Sequence, residues 1–209
     1  MQSVYNPNNT INYPVMNPMM QDSLDYAFQV GQPQLDNQMT SIGINPIGSS
    51  QPQMHPTYIP IPEQARMSLV AILNQLVCDC ISLTYSAKQA HWNIKGKDFI
   101  AIHRLFDEVF SLGNELVDTF AETGVTIGGQ ATGTIDHAVK VSRLAPFPLL
   151  INDSHTLIIE VTERLAAISQ YLSEAISQTE SLDKTIQNDL MTAQSKVNKM
   201  IYFLESHLH

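Results

Sequence analysis

The sequence predicts an all-α protein: four long helices in a bundle, a long crossover between the second and third, and an irregular N-terminal tail. Three observations predict it. Four long segments repeat apolar residues at alternating three- and four-residue steps, the spacing of bundle seams. A stretch holding Gly124, Gly128, Gly129 and Gly133 opens a long connection that ends near Pro146-Phe147-Pro148. Residues 1–62 hold nine of the eleven prolines and fifteen Asn or Gln, with no strong helical period. Proline removes backbone donors, and amide-rich stretches bury too little apolar area to offset ordering entropy. The expected domains are a Pro/Asn/Gln/Met-rich tail, 1–62, and a helical bundle, 63–209.

The first helix, expected at about 63–92, starts with proline near its N-terminus and repeats Leu69, Ile72, Leu73, Leu76, Cys80, Leu83, Ala87 and Ala90. The second, about 98–123, carries Phe99, Ile102, Phe106, Val109, Gly113, Leu116 and Phe120. The third long helix, about 153–178, repeats Leu157, Val161, Leu165, Ile168, Leu172 and Ile176, with Asp153 or Ser154 as its cap. The fourth, about 183–206, repeats Ile186, Leu190, Ala193, Val197, Met200 and Leu204. Tail residues such as Tyr5, Tyr13, Tyr26, Phe28 and Tyr58 could dock on a neighbouring subunit.

A chain of 209 residues with 44% hydrophobic content supports one domain with an ample core plus an extension. The formal charge of −9 and pI near 5.1 disfavour nucleic acid as a default partner and suit a surface that attracts cations. Cys78 and Cys80 are two apart on one helix and cannot pair with each other, so they read as small core residues of a reducing cytoplasm. The start of the chain lacks the basic and apolar regions of a signal peptide. No run approaches the 18 or so apolar residues of a membrane span.

Five potential metal ligands, His91, His103, Asp107, Asp118 and Glu122, follow one another at intervals of 12, 4, 11 and 4 residues. Residues four apart are neighbours on a helix, so His103 with Asp107 and Asp118 with Glu122 can each grip one ion. Asp107 and Asp118 lie roughly 16 Å apart along the axis, too far for one centre. The geometry closes if two copies of this helix pack antiparallel about a twofold axis near residues 112 and 113, each half-site facing the other's complement. Two imidazoles and three carboxylates suit Fe(II), accept Zn(II) as a competitor, and leave positions open for an oxidant. Two paired irons can reduce hydrogen peroxide in one two-electron event without releasing hydroxyl radical. The chain contains no Glu-x-x-His, the motif of di-iron sites inside a single bundle, which leaves the intersubunit version.

The run Ala90-His91-Trp92-Asn93-Ile94-Lys95-Gly96, then Asp98-Phe99-Ile100-Ala101-Ile102-His103-Arg104-Leu105-Phe106-Asp107-Glu108, with Val117-Asp118 and Glu122 at their spacing, resembles the Dps proteins (DNA-binding proteins from starved cells). The resemblance covers roughly residues 63–208. It implies a ferritin-like four-helix bundle with a short extra helix at about 134–142 in the long crossover, assembled as a hollow dodecamer that oxidises Fe(II), preferably with peroxide, and stores ferric mineral, protecting against oxidative stress. It assigns His91, His103 and Asp107 to one subunit and Asp118 and Glu122 to its twofold mate. It makes Trp92 a neighbour of the centre that could absorb a stray oxidising equivalent, a plain packing role being the alternative. It also marks Asp183 as a residue of an acidic ion pore, although Asn188 stands where a second carboxylate is expected. The family's helix-forming residues after the last ligand read Glu122-Thr123-Gly124 here, so the second helix is expected to fray just past Glu122.

Other signals carry less. The glycines at 124–133 lack the Gly-Lys-Ser/Thr ending and preceding strand of a phosphate cradle and read as turns. His137 and His155 read as surface or packing residues, and His207 and His209 as adventitious metal binders. DNA binding through the tail is not expected, because the first lysine or arginine of the chain is Arg66 and the tail holds Asp22, Asp25 and Asp36. The competing readings are a structural or partner-recruiting cage, with its metal sites serving assembly, and a nucleoid-binding protein.

Overall fold

Pro62 starts the bundle: its φ of −55° is already near helical, and it lacks the N–H that a first turn would leave unpaired. The computed structural model describes residues 54–209, and the expectations for residues 1–53 lie outside this range. Five helices follow in chain order: α1 Glu63–Asn93, α2 Phe99–Thr126, α3 Ile135–Val141, α4 Ser154–Thr179 and α5 Lys184–Glu205. Among the described residues the one trace of β structure is an isolated bridge between Lys95 and Asp153. The four long helices lie where the apolar periods put them, and the short crossover helix lies where the family resemblance puts it.

α1 packs along α2, and α4 along α5; α1 also meets α3 and α4, while α2 meets α5. The seam residues form one core, in which Phe106, Phe120, Leu69, Leu73, Leu76, Leu165 and Leu172 are fully buried. Each such side chain contributes about 1.5–3 kcal/mol through apolar burial. α1 and α2 come unusually close at Gly113, where a Cβ would lie 2.3 Å from Thr84 Oγ1 and 3.3 Å from the Thr84 Cα. Only hydrogen fits there, and this close approach fixes the helix pair that carries the histidines.

Buried charges tie the connecting segments down. The Asp79 side chain is fully buried and accepts hydrogen bonds from Arg143 Nη2 at 2.6 Å, Arg143 Nε at 3.0 Å and the Arg143 backbone N–H at 2.7 Å. Arg164 donates to the carbonyls of Ala145 and Pro146 and to Glu160. Arg66 donates to the carbonyls of His55, Ile61 and Ile127, and His55 N–H donates to Gly128 O at 2.7 Å. Residues 54–62, on the tail side of the expected boundary, are thereby held on the bundle. Gly128 makes this possible: its φ is +88°, and a Cβ would lie 2.4 Å from His55 O.

Two expectations are corrected. α2 does not fray past Glu122 but continues through Gly124 to Thr126. Gly124 is buried, with space beside Leu73 for ordinary contact, and its carbonyl accepts from Gly129 N–H at 2.9 Å. Its helix penalty of about 1 kcal/mol is offset by the packing of Phe120 and Ile127 on either side. In the second case, α1 is long and apolar enough by length and composition to cross a membrane, contrary to expectation. The reason is its double role as the central core helix: its apolar residues face α2 and α4, and it buries Arg66 and Asp79 on the way. The cysteines behave as expected, both free and buried in α1.

Candidate metal centre

The last turn of α1 delivers His91, and the first turns of α2 deliver His103. Between them Ile94 is buried, Lys95 N–H donates to Asn152 O at 2.9 Å, and Gly96 takes a φ of +123° that reverses the chain. The two imidazoles stack, with ring centroids 3.7 Å apart and planes 22° from parallel. Each ring donates to the other's main chain: His91 Nδ1 lies 2.8 Å from His103 O, and His103 Nδ1 lies 2.9 Å from His91 O. A carbonyl can only accept, so both Nδ1 atoms carry a proton, and in the neutral ring the lone pair is then on Nε2. This is how proteins orient and fix the tautomer of a metal-binding histidine. Phe99 packs against His103 at 4.8 Å between ring centroids and restrains it further.

Asp107 stands one turn beyond His103, half-exposed, with Oδ1 3.9 Å from His91 Nδ1. Lys88, three residues before His91 on α1, reaches the same oxygen at 2.5 Å. That hydrogen bond is the main reason the Asp107 carboxyl is held below the usual carboxylate range; the Lys88 charge and the nearby histidines act in the same direction against a small desolvation cost. Asp107 is thus held toward its ionised form with the Lys88 ammonium as its partner.

His91, His103 and Asp107 are neighbours that do not by themselves close around one point, and Asp118 and Glu122 lie apart from them. Both are exposed on α2, and neither side chain makes a hydrogen bond or ion pair with a described residue. They lie 11 and 15 residues beyond Asp107, about 16 and 22 Å along the axis. Among the described residues of one chain, no three His, Cys, Asp or Glu side chains converge as a metal cage. Leu112 and Gly113, which mark the level of the anticipated twofold axis, face the protomer's own core, so the free face at that level is formed by Ser111, Asn114 and Glu115. Trp92 is 63% exposed beside His91, so packing within the protomer does not account for it. Asp183 caps α5, with Oδ1 accepting from the N–H groups of Thr185 and Ile186 at 2.9 Å. His137 and His155 are exposed.

Lys88 is the site residue that the sequence reading missed. Its one signal was position: three residues before His91, it shares that residue's face of α1.

A family model described as a ferritin-like domain matches residues 70–209. The DNA protection during starvation protein of Agrobacterium fabrum is 32% identical over 155 residues, covering 74% of this chain and 96% of that protein. The solved structure of Dps from Microbacterium arborescens in the high iron form superposes with a TM-score of 0.67 at 27% identity, covering 70% of this chain and 96% of that one. Mycobacterium smegmatis Dps in its tetragonal form gives a TM-score of 0.71 at 20% identity over 74% of this chain and 93% of that chain, a likeness of fold.

Proposed function

The chain belongs to the Dps family of ferritin-like proteins, and from that premise we propose that it is a cytoplasmic ferroxidase and iron store, whose sites form between twofold-related subunits of a dodecameric cage. The observation that carries this reading is the reciprocal hydrogen bonding of His91 and His103, which presents two Nε2 lone pairs one turn from an ionised Asp107. Asp118 and Glu122, free on the same helix, supply the complementary half to a second copy. Val125, Ile135 and Val139 leave apolar side chains exposed around the end of α2 and on α3, which supports burial of this region in an assembly.

The substrates are Fe(II) and hydrogen peroxide. Two Fe(II) ions each give up one electron; the pair of electrons breaks the O–O bond of peroxide, and two protons complete two waters. His91, His103 and Asp107 bind and orient the metal from one subunit, and Asp118 and Glu122 of the mate complete its coordination. Lys88 keeps Asp107 ionised until metal arrives. Trp92 stands beside the centre as an electron donor for stray oxidising equivalents, and Asp183 marks an ion path at the start of α5. The ferric product is stored inside the cage.

Stopped-flow mixing of anaerobic Fe(II)-loaded protein with peroxide tests this. Rapid ferric formation is expected, with loss in His103→Ala and in Asp118→Ala; an undiminished rate in both variants would reject the site. DNA binding through the tail is not part of the proposal, since residues 1–62 contain no lysine or arginine. Retardation of duplex DNA at low salt by the full chain but not by a tail-truncated form would reverse that point.

A further inference from the structure

The last turn of α2, Thr123-Gly124-Val125-Thr126, consists of a glycine and three β-branched residues, all weaker helix formers than alanine or leucine. It also holds no basic residue to meet the carbonyls at its end. The turn is helical all the same, and it closes in a Schellman motif: Gly128 N–H donates to Val125 O and Gly129 N–H to Gly124 O, both at 2.9 Å. What its own sequence lacks comes from another part of the chain. Arg66 of α1, with a side chain 9% exposed, donates through Nη1 to Ile127 O at 3.0 Å and to His55 O at 3.2 Å, and through Nε to Ile61 O at 3.2 Å. The carboxylate it reaches among the described residues, that of Glu63 at 3.9 Å, is largely exposed, so this buried cation is devoted to carbonyls. His55 N–H takes the next carbonyl, Gly128 O, at 2.7 Å, and Met54, Ile59 and Ile61 pack against the core. Residues 54–61 form a strap that Arg66 fastens to the end of α2, and Glu122 stands one turn inside that end.

We propose that Arg66 and this strap are the positioning device for the Asp118/Glu122 half of the metal centre, holding α2 helical past Glu122 so that the two carboxylates stay one turn apart on one face. The inference rests on the proposed intersubunit site, and it makes Arg66 a positioning residue that acts through the helix end rather than on the metal. With the strap released, the last turn depends on its own residues, whose preferences favour fraying, and loss of helix reaches Glu122 within four residues. The other half-site is out of range. Asp107 lies roughly 28 Å from Thr126 along the axis, with His103 beyond it and His91 stacked on His103. An effect of Arg66 on one half-site alone distinguishes positioning from general stability.

Two measurements test this. In the assembled, metal-free full chain, amide hydrogen exchange at Ile127, Gly128 and Gly129 should speed up about tenfold in Arg66→Met, the scale of losing a charge-assisted hydrogen bond. The amides of Ile94 and Ile102 should keep their wild-type rates. Unchanged exchange at the end of α2 would overturn the strap. The role in the metal site is read in mixed cages supplied with Fe(II) and peroxide. Arg66→Met alone should lose most of the wild-type oxidation rate but keep an intact His91/His103/Asp107 half. Co-assembly with His103→Ala should therefore raise oxidation above that of either variant alone, whereas co-assembly with Asp118→Ala should not. Arg66→Lys keeps the charge and the stem but has one head for three carbonyls, and should show the same one-sided pattern at smaller amplitude even where Arg66→Met folds poorly. Wild-type activity of Arg66→Met, or restoration by both partners, would overturn the positioning role. So would restoration by neither partner while His103→Ala and Asp118→Ala complement each other. Failure of that last pair as well would strike the intersubunit centre, and the positioning role with it, but would leave the strap to the exchange result.

Discussion

Removing the charge of Lys88 should tighten metal binding, because the ion has to displace the lysine before it can use Asp107. The Lys88 side chain is 20% exposed and that of Asp107 49%, with 2.5 Å between Nζ and Oδ1. A charge-assisted hydrogen bond contributes about 1.5–3 kcal/mol when well sheltered, and screening of the half-exposed carboxylate lowers this to about 1 kcal/mol. Lys88→Met keeps an unbranched side chain beside Phe110, over whose ring the ammonium lies at 4.6 Å, and removes the competitor, so zinc affinity should rise about fivefold. Lys88→Arg, which keeps the charge, should bind zinc as the wild type does. The acid side of the binding curve should also move. Lys88 is the first cause of the lowered Asp107 pKa, so in Lys88→Met the carboxyl returns toward its ordinary value and metal is lost at a higher pH as acid is added. The assay is zinc titration of the assembled protein against a chelator of known affinity, repeated across the acid range. Unchanged or weaker zinc binding by a normally assembled Lys88→Met would refute this account of Lys88.

Three further outcomes are expected. Asp79→Ala removes the anchor of Arg143 and strands its backbone N–H, and should cost about 3 kcal/mol in chemical denaturation. Asp153 accepts from Thr156 N–H at 2.8 Å, and that bond lowers its pKa, so its stabilisation is present above the unfolded carboxyl value near 4 and lost as pH falls through the lower folded value. Asp153→Ala should therefore lose about 1 kcal/mol at neutral pH and show a smaller difference from wild type as pH drops below about 4, measured by thermal melts. Zinc shares the ligand set and should inhibit iron oxidation at equimolar amounts; full activity in its presence would mean that one imidazole is not a ligand.

The bundle was legible because each helix buries one stripe: Leu69, Leu73 and Leu76, or Phe106, Val109 and Phe120, repeat in sequence as they stack in space. The cap Asp153 was legible because capping is local. Gly124 misled because propensity is a weak local term, and the packing that carries α2 past it comes from elsewhere in the chain. Arg143, Arg164 and Arg66 were invisible as latches, since the acceptors that tie them to other segments, such as Asp79, Pro146, His55 and Ile127, lie 11 to 64 residues away and no periodicity links a salt bridge across a crossover. At the site, the histidine and carboxylate spacing was readable as helix geometry. The crossed Nδ1 bonds depend on the path of the turn through Gly96, and the Lys88 contact depends on the register of α1 against α2, which Gly113 and Thr84 set.

Mixing two inactive variants tests the shared site most directly. A dimer built from one His103→Ala subunit and one Asp118→Ala subunit places both defects in one site and leaves the other intact, by the twofold relation. Random co-assembly in equal amounts should therefore restore roughly a quarter of wild-type peroxide-driven iron oxidation, since about half the dimers are mixed and each carries one good site. Activity no greater than that of either variant alone, in cages shown to contain both, would contradict a centre built from two chains.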